Sequence, residues 1–478
     1  MGLRSWIRPK ADDCQSSAPD LQPQNWPERL IWYSIIFTYP IWLVGGLYVV
    51  GSVLGWLLLF CLIIKILAGM DHPEQNEEVN ISPVIWLWVV GMLVMQVALV
   101  MGHVDFNLGI AMIIKSSIGW GKGWAALALY PLAGCLNIRS KIISRAICIV
   151  GLHTLIITPI LLLTPHLGLP QVLYVSPLRA IGGPGNEFFD VPLYEIDGST
   201  GDMRWRLFTP WGPALGFVGN VNFMLSLLEK ERRWKIFGMA GSIVMCFVCK
   251  SRLAQVCIIL IPTIIFIVSR IRRPVTLIGL GIASYVGGIL SPVLLQLISD
   301  FWDGFKGARA GSTRVRMALK RIAVYRWEKE APLWGHGIVE PGPHLVEAMP
   351  IGSHHTWAGL LFVKGIVGFF ALAVPMVATI IDLLRRASNP RYQLGSVGLS
   401  MIVILFLYTF GENLEILVYL YWPGMIMMGM ALQEVKSPAM ANAVGPQLIL
   451  TATELTDGDE QVSRSAERPE FDAQAERA

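Results

Sequence analysis

The chain has 478 residues, of which 54% are hydrophobic and only 15% are charged, and its formal net charge is +4. A soluble domain averages about 25% charged residues, so this composition excludes a soluble globular protein. The seven cysteines are scattered, mostly inside apolar runs, and predict no disulfide framework.

Apolar runs recur along the sequence at lengths that suit helices crossing a hydrocarbon core. They predict an all-α fold, a polytopic transmembrane helical bundle of about twelve spans. The predicted spans are two crowded together over 30–68 with a turn at Gly45-Gly46, then 83–100, 120–136, 142–163, 208–228, 236–248, 253–268, 275–298, 357–384, 394–410 and 414–430.

Polar segments divide the chain around these spans. The predicted parts are a polar cytoplasmic N-terminus over 1–29, a transmembrane domain over 30–432, and an acidic cytoplasmic tail over 433–478. The tail lacks apolar periodicity and is predicted to be disordered. Two long loops interrupt the transmembrane domain, one over 164–206 and one over 299–356, between predicted spans nine and ten.

Short basic loops predict the orientation, because cytoplasmic loops carry the Lys/Arg excess. With about twelve spans, four basic clusters fall on one face, which we therefore predict to be cytoplasmic. Both termini would lie on that face, and both long loops would lie outside. The clusters are Arg139 and Lys141; Lys230, Arg232, Arg233 and Lys235; Arg270, Arg272 and Arg273; and Arg385, Arg386 and Arg391.

The second long loop contains a basic run over 306–329, with eight Lys/Arg residues and one acid. Arginine binds phosphate through its planar fork, and lysine adds a mobile charge. The candidate anion-binding residues are Arg314, Arg316, Lys320 and Arg321. A solvated helix, or a helix on anionic lipid headgroups, explains the charge equally well at this point. The external location argues against nucleic acid.

Two adjacent histidines, His354 and His355, follow this run. A histidine at the outer mouth of a span can transfer protons near neutral pH, and His354 is the better placed of the two. The alternative is a histidine that only forms hydrogen bonds at the membrane–water interface and has no catalytic role. Neighbouring residues diverge on a helix and no further ligand is visible, so we expect no metal.

Three further charged residues lie at predicted outer helix ends. Arg252, in Ser251-Arg252, either marks a binding pathway or extends to the headgroups. Glu412 and Glu415 can pair with the arginines, orient a histidine or act as a base, or they are ordinary loop acids. The pair Arg204 and Arg206 gives only a weak signal for an anion site.

Several of these segments together resemble the O-antigen ligase and polymerase superfamily. They are Arg314-Val-Arg-Met-Ala-Leu, Ala331-Pro-Leu-Trp-Gly-His-Gly, His354-His-Thr-Trp-Ala-Gly-Leu with Gly365-Ile-Val-Gly, and Ser251-Arg252. The family shows an Arg-led helix, a Pro-Leu-x-Gly-x-Gly turn, a His-Asn-x-Tyr-Leu segment before Gly-x-x-Gly, and a Ser-Arg pair. The similarity covers roughly 208–368 and rests on the order and spacing of the motifs.

The resemblance implies a glycosyltransferase of the bacterial inner membrane that works on the periplasmic face without a metal or nucleotide cofactor. The donor would be a glycan on undecaprenyl pyrophosphate, and the acceptor another glycan or a lipid A core. Membrane lipids and other polysaccharide assembly and export proteins would be partners. His354 would be the catalytic histidine, and Arg252 with Arg314 or Arg316 would hold the pyrophosphate as it leaves.

The chain departs from the family pattern at three positions. His355 stands where the family has Asn, Trp357 where it has Tyr, and Lys364 where an acidic residue often precedes the glycine. Because of these departures, the resemblance does not decide whether His354 or His355 is the reactive histidine. Polymerase and ligase share the signature, and a polytopic solute transporter or a structural partner in an export complex remains a rival interpretation.

Overall fold

The computed structural model describes residues 21–71, 81–197, 201–307, 310–346 and 348–434. The helices are α1 Trp26–Ile36, α2 Thr38–Leu43, α3 Leu47–Asp71, α4 Pro83–Asp105, α5 Ile110–Lys122, α6 Ala126–Ala133, α7 Ser140–Leu163, α8 Gly212–Ser226, α9 Arg232–Val248, α10 Arg252–Arg270, α11 Pro274–Ile289, α12 Ser291–Gly307, α13 Ala310–Glu330, α14 Thr356–Ala387, α15 Gly395–Tyr408 and α16 Leu414–Gln433. The predicted all-α class is confirmed.

The strands all lie in the first long loop and form two small antiparallel pairs. They are β1 Val172–Val175, β2 Asp190–Pro192, β3 Glu195–Ile196 and β4 Met203–Arg204, with β1 paired to β2 and β3 paired to β4. The predicted disordered tail lies outside the described residues, apart from its first two.

Six helices of the described part are long and apolar enough to cross a membrane: α3, α4, α7, α10, α14 and α16. A seventh crossing results if α11 and the start of α12, which meet at a bend of 80°, are taken as one span. This finding confirms a membrane protein with transmembrane helices. The count of about twelve, the membrane itself and the sidedness stay predictions.

Three predicted spans are interrupted in the structure. The first is divided between α1, which ends at Ile36, and α2, which begins at Thr38. The span predicted over 120–136 is divided, because α5 ends at Lys122 and α6 begins at Ala126. Between them the chain passes so close to α16 that a Cβ on Gly123 would lie 2.7 Å from Glu415 Cγ. The span predicted over 275–298 bends between α11 and α12, where Gly287 and Gly288 precede the break and Pro292 follows it.

Helix α16 forms the centre of the bundle, since most of its side chains are buried. It packs against α3, α6, α8, α14 and α15. Helix α11 is the opposite case, because none of its residues is buried. The second long loop, predicted as one segment over 299–356, is mostly helical where it is described, since it contains the end of α12 and all 21 residues of α13.

Charged pairs gather at one end of helix α7. Glu28, buried at the start of α1, pairs with Arg139 at 2.8 Å, and Arg145 pairs with Glu229 at 2.8 Å. At the other end of α7, Trp205 of the first long loop donates a hydrogen bond to the Leu161 carbonyl at 3.0 Å. Helix α7 is about 36 Å long, so the first long loop lies far from these charged pairs.

Candidate functional site

Helix α14 is broken ten residues after His355, at Gly365. Gly365 adopts φ 63° and ψ −164°, a conformation open to glycine and strained for other residues. A Cβ at Gly365 would collide with the carbonyl oxygen of Leu333, and one at Gly335 would lie 2.5 Å from the Gly365 nitrogen. The turn 331–337 therefore packs directly into the break.

Backbone hydrogen bonds between this turn and α14 replace those that the helix loses at the break. His336 N–H donates to Phe362 O at 2.8 Å, Gly337 N–H to Val363 O at 3.0 Å, Ile366 N–H to Pro332 O at 3.0 Å, and Val367 N–H to Leu333 O at 3.4 Å. The turn thus completes α14 and fixes both helix halves around the segment that begins with the histidines.

A network of charged side chains holds α13 onto the same turn. Arg326 contacts Glu330 at 2.8 Å and Glu340 at 2.5 Å, and its guanidinium lies 5.2 Å from the Phe362 ring centroid. Buried His336 completes the network, with Nε2 at 2.8 Å from the Glu330 carboxylate. Arg326 is thus a structural arginine, and His336 has a role that the sequence motifs did not single out.

The candidate active site is a cavity of about 530 Å³ between the two long loops and the starts of α14 and α16. It is lined by Trp124, Pro184, Glu187, Phe188, Trp211, Val339, Met349, Pro350, Ile351, Gly352, Ser353, His354, Thr356, Gly359, Leu360, Val363, Lys364, Glu412, Asn413, Glu415 and Ile416. The structure therefore brings together three residues singled out from the sequence: His354, Glu412 and Glu415.

Hydrogen bonds fix the Glu412 turn against the start of α14. The Thr356 N–H donates to Thr409 O at 2.9 Å, and the Thr356 hydroxyl donates to the Glu412 carbonyl at 2.7 Å. The Glu412 side chain is 2% exposed and accepts a hydrogen bond from the indole of Trp211 at 2.8 Å. His354 and Glu412 therefore face the same cavity on a preorganised frame.

Burial and Arg316 set the protonation of this pair. Burial, and to a smaller extent the positive charge of Arg316, lowers the pKa of His354 to about 4. Burial raises the pKa of Glu412 to about 7, although Arg316 and the Trp211 hydrogen bond oppose that rise. Near neutral pH, His354 is thus an uncharged hydrogen-bonding group, and Glu412 can accept or release a proton.

His355 lies on the other side of the α14 start, in an apolar groove of about 430 Å³. The groove is lined by Lys320, Val324, His355, Trp357, Ala358, Leu361, Phe369, Ala373, Met376, Val377, Ile380, Phe406 and Phe410. The side chain of His355 caps α14 by accepting from the Ala358 N–H at 3.3 Å. Burial, and then the charge of Lys320, lowers the pKa of His355.

The two histidines separate because His354 has φ 62°, in the left-handed region, whereas His355 is extended at φ −158°. Adjacent residues therefore contribute to two compartments, a cavity with several ionisable side chains and an apolar groove. The two histidines thus have different surroundings. Which of them is reactive stays a prediction.

The basic residues of α13 divide in the same way. Arg316 is half-buried and acts electrostatically on His354 and Glu412. Lys320 lines the groove beside His355. Arg314 and Arg321 are exposed and line neither compartment, so the structure does not bring these two candidates to the site.

Arg252 is the first residue of α10, whose N-cap is Ser251. Its neighbour Leu253 packs against Gly411, at 3.5 Å from the position of an added Cβ, so α10 begins beside the Glu412 turn. Arg252 is not among the residues that line the cavity. Arg252 therefore lies near the Glu412 turn, as the sequence predicted. In the part of the chain that the structure describes, it does not contact the cavity.

The arginines of the first long loop are engaged in ion pairs. Arg204 contacts Glu195 and Asp197, both at 2.7 Å, and buried Arg206 contacts Asp190 at 2.6 Å. These ion pairs stabilise the first long loop. Arg204 and Arg206 therefore have a structural role, and the weak sequence signal for an anion site at these residues is accounted for.

Sequence reasoning missed two cavity residues. Lys364 was noted only as a departure from a family pattern, yet it is 5% exposed and lines the cavity beside the break at Gly365. Glu415 attracts it electrostatically from the start of α16. Trp124, from the turn between α5 and α6, is the other, and it is 3% exposed. A lysine within an apolar run is the signal that could have identified the first.

Comparisons with known proteins give no family assignment. No protein-family model matches the chain, and no curated protein matches it significantly. The interpretation of the site therefore rests on its geometry and on the motifs in the sequence.

Proposed function

We propose that the chain is a membrane glycosyltransferase that acts on glycans carried by undecaprenyl pyrophosphate, on the periplasmic face of a bacterial inner membrane. Its reaction is the polymerisation of repeat units for a surface polysaccharide. Transfer of a finished chain to a lipid A core is the alternative, but no feature of the chain points to that acceptor.

The observation that carries the proposal is the back-to-back arrangement of two compartments at the start of α14. One is the cavity that contains the ionisable side chains of His354 and Glu412, and the other is the apolar groove that ends at Lys320 and His355. A reaction between a lipid-borne donor and a water-borne hydroxyl needs such a junction between an apolar compartment and one that contains ionisable groups.

The groove suits the polyprenyl chain, because its walls are almost entirely aliphatic and aromatic. Arg316 and Lys320 are one helical turn apart on α13, with Arg316 acting on the cavity and Lys320 on the groove. A pyrophosphate between these two cations would be stabilised as negative charge develops on it during departure. Arg252, beside the Glu412 turn, is proposed as a further contact on the strength of the resemblance.

The chemical step follows from the protonation of the cavity pair. The acceptor hydroxyl oxygen attacks the anomeric carbon, the bond from that carbon to the pyrophosphate oxygen breaks, and the electron pair leaves with the lipid pyrophosphate. Glu412 accepts the hydroxyl proton in its ionised form, and neutral His354 orients the hydroxyl through a hydrogen bond. The proton later returns to solvent or to the released pyrophosphate.

Lipid-linked glycans from cells that lack the gene test this proposal. Loss of a polymerase should leave single repeat units on the carrier, whereas loss of a ligase should leave long unattached chains. Complementation with His354→Ala or Arg252→Ala should fail although the protein still inserts in the membrane. Normal polysaccharide together with lost solute uptake would instead establish a transporter.

A further inference from the structure

We propose that Trp124, Glu187, Lys364 and Glu415, which line the cavity, belong to an acceptor-sugar subsite that selects uncharged and amino sugars over sugars carrying a carboxylate. The inference rests on the proposed function, because it names the substrate class of the same site. Its basis is a set of side chains from the first long loop, the turn between α5 and α6, α14 and the start of α16.

The walls of the cavity are suited to a sugar ring. Trp124, Phe188 and Trp211 supply flat aromatic surfaces, against which the C–H faces of a sugar can pack. The Trp124 indole nitrogen is itself buried beside the Glu415 carboxylate.

The carboxylates of this set can accept hydrogen bonds from a ligand. Glu187 is exposed and Glu415 is half-buried, so sugar hydroxyls in the cavity can donate to both. The cavity, at about 530 Å³, is within the range of small-molecule sites.

The charges decide the class of sugar. Three carboxylates line the cavity, those of Glu187, Glu412 and Glu415, whereas Lys364 is the one lysine or arginine among the described lining residues. Glu415 attracts Lys364 and so offsets its charge. A carboxylated sugar beside Glu187 and Glu415 would therefore meet like charges, while an ammonium group would be attracted.

The Lys364–Glu415 pair is held in place by its neighbours. Glu415 packs against Gly123, where an added Cβ would lie 2.7 Å from Glu415 Cγ. Lys364 precedes the helix break at Gly365, which the turn 331–337 fixes. An isosteric change of Glu415 alters the charge of the cavity with little change in its shape.

Binding of three methyl glycosides tests the inference: methyl glucoside, methyl glucosaminide and methyl glucuronide, titrated by saturation-transfer NMR against the full chain in lipid nanodiscs. The first two should bind at least about tenfold more tightly than the glucuronide. Glu415→Gln should remove most of this preference, since one carboxylate is lost and Lys364 is then no longer offset by Glu415, and glucuronide binding should rise about tenfold. The double variant Lys364→Gln with Glu415→Gln should lose that gain.

A gain of binding cannot come from misfolding, so the rise in glucuronide binding is an internal control. Equal binding of the glucuronide in the wild type, or an unchanged preference in Glu415→Gln, would overturn the subsite. If the protein transfers glycans equally well to charged and uncharged acceptors, the subsite is rejected but the proposed function stands. Charge-selective binding in a protein whose loss leaves lipid-linked glycans normal would support the subsite and reject the glycosyltransferase.

Discussion

The Thr356 hydroxyl connects two parts of the site: it donates to the backbone carbonyl of Glu412 at 2.7 Å and accepts from the Leu414 N–H at 3.2 Å. Thr356 is the first residue of α14 and follows directly after His354 and His355. The distance between the histidines and Glu412 is therefore fixed through one side chain.

We expect Thr356→Val to lower transfer activity at least about tenfold, because catalytic groups that shift by a fraction of an ångström lose much of their effect. The free energy of unfolding should fall by only about 1 kcal/mol, the usual net value of such bonds. Thr356→Ser keeps the hydroxyl and should restore activity. Thermal denaturation together with kcat measurements checks both; equal activity of the valine and serine variants would contradict the positioning role.

Glu412 should give the transfer rate a pH dependence near neutrality. Burial raises its pKa to about 7, so the carboxylate accepts protons above that pH and is already protonated below it. The rate should therefore rise with pH through about 7. His354→Asn should keep this limb in its residual activity, since the pKa of His354, about 4, lies outside the range. If the rise in rate through a pH of about 7 persists in Glu412→Gln, the titrating group is a residue other than Glu412.

The two histidines should differ in their effects. His354 lines the cavity, so His354→Asn should lower kcat by about 100-fold or more, the usual range for acid–base and orienting groups. His355 lines the apolar groove and caps α14, so His355→Asn, which keeps a capping side chain, should mainly raise the KM for the lipid donor. A larger loss of kcat in the His355 variant would reverse the assignment.

Arg316 and Arg314 form a matched pair on α13. Arg316 is half-buried and acts on both His354 and Glu412, whereas Arg314 is exposed and lines neither compartment. Arg316→Gln should lower transfer strongly and move the pH limb upward, because its charge holds the pKa of Glu412 down. Arg314→Gln should change activity less than about threefold. The same loss in both variants would indicate only a general electrostatic attraction of the donor.

Gly365→Ala tests the helix break. An added Cβ would meet the Leu333 carbonyl, and φ 63° is unfavourable for alanine, so we expect a loss of about 1–3 kcal/mol or more in the free energy of unfolding. Gly279→Ala in α11 is the control, because no atom lies within 4 Å of the added Cβ there. Unfolding in denaturant measures both variants. Similar stability of the two would mean that the turn does not constrain α14.

The sequence by itself determined the class of protein and most helix positions. Apolar runs of sufficient length can satisfy their backbone in lipid only as helices, so the α-helical membrane class follows from composition and periodicity. The turn at Gly45-Gly46 was placed correctly between α2 and α3. The charged candidates His354, Glu412 and Glu415 could be selected because charge at a helix end is rare in such a chain.

The tertiary structure alone decided how these residues combine. Spacing along the chain cannot show that His354 and His355 face different compartments, since that depends on the left-handed φ of His354. It also cannot show that Trp124 and Lys364, about 240 positions apart in the sequence, share a cavity with Glu415. Such contacts between distant segments arise from packing around α16 and from the break in α14, where the turn 331–337 supplies the missing hydrogen bonds. A local sequence pattern does not specify either contact.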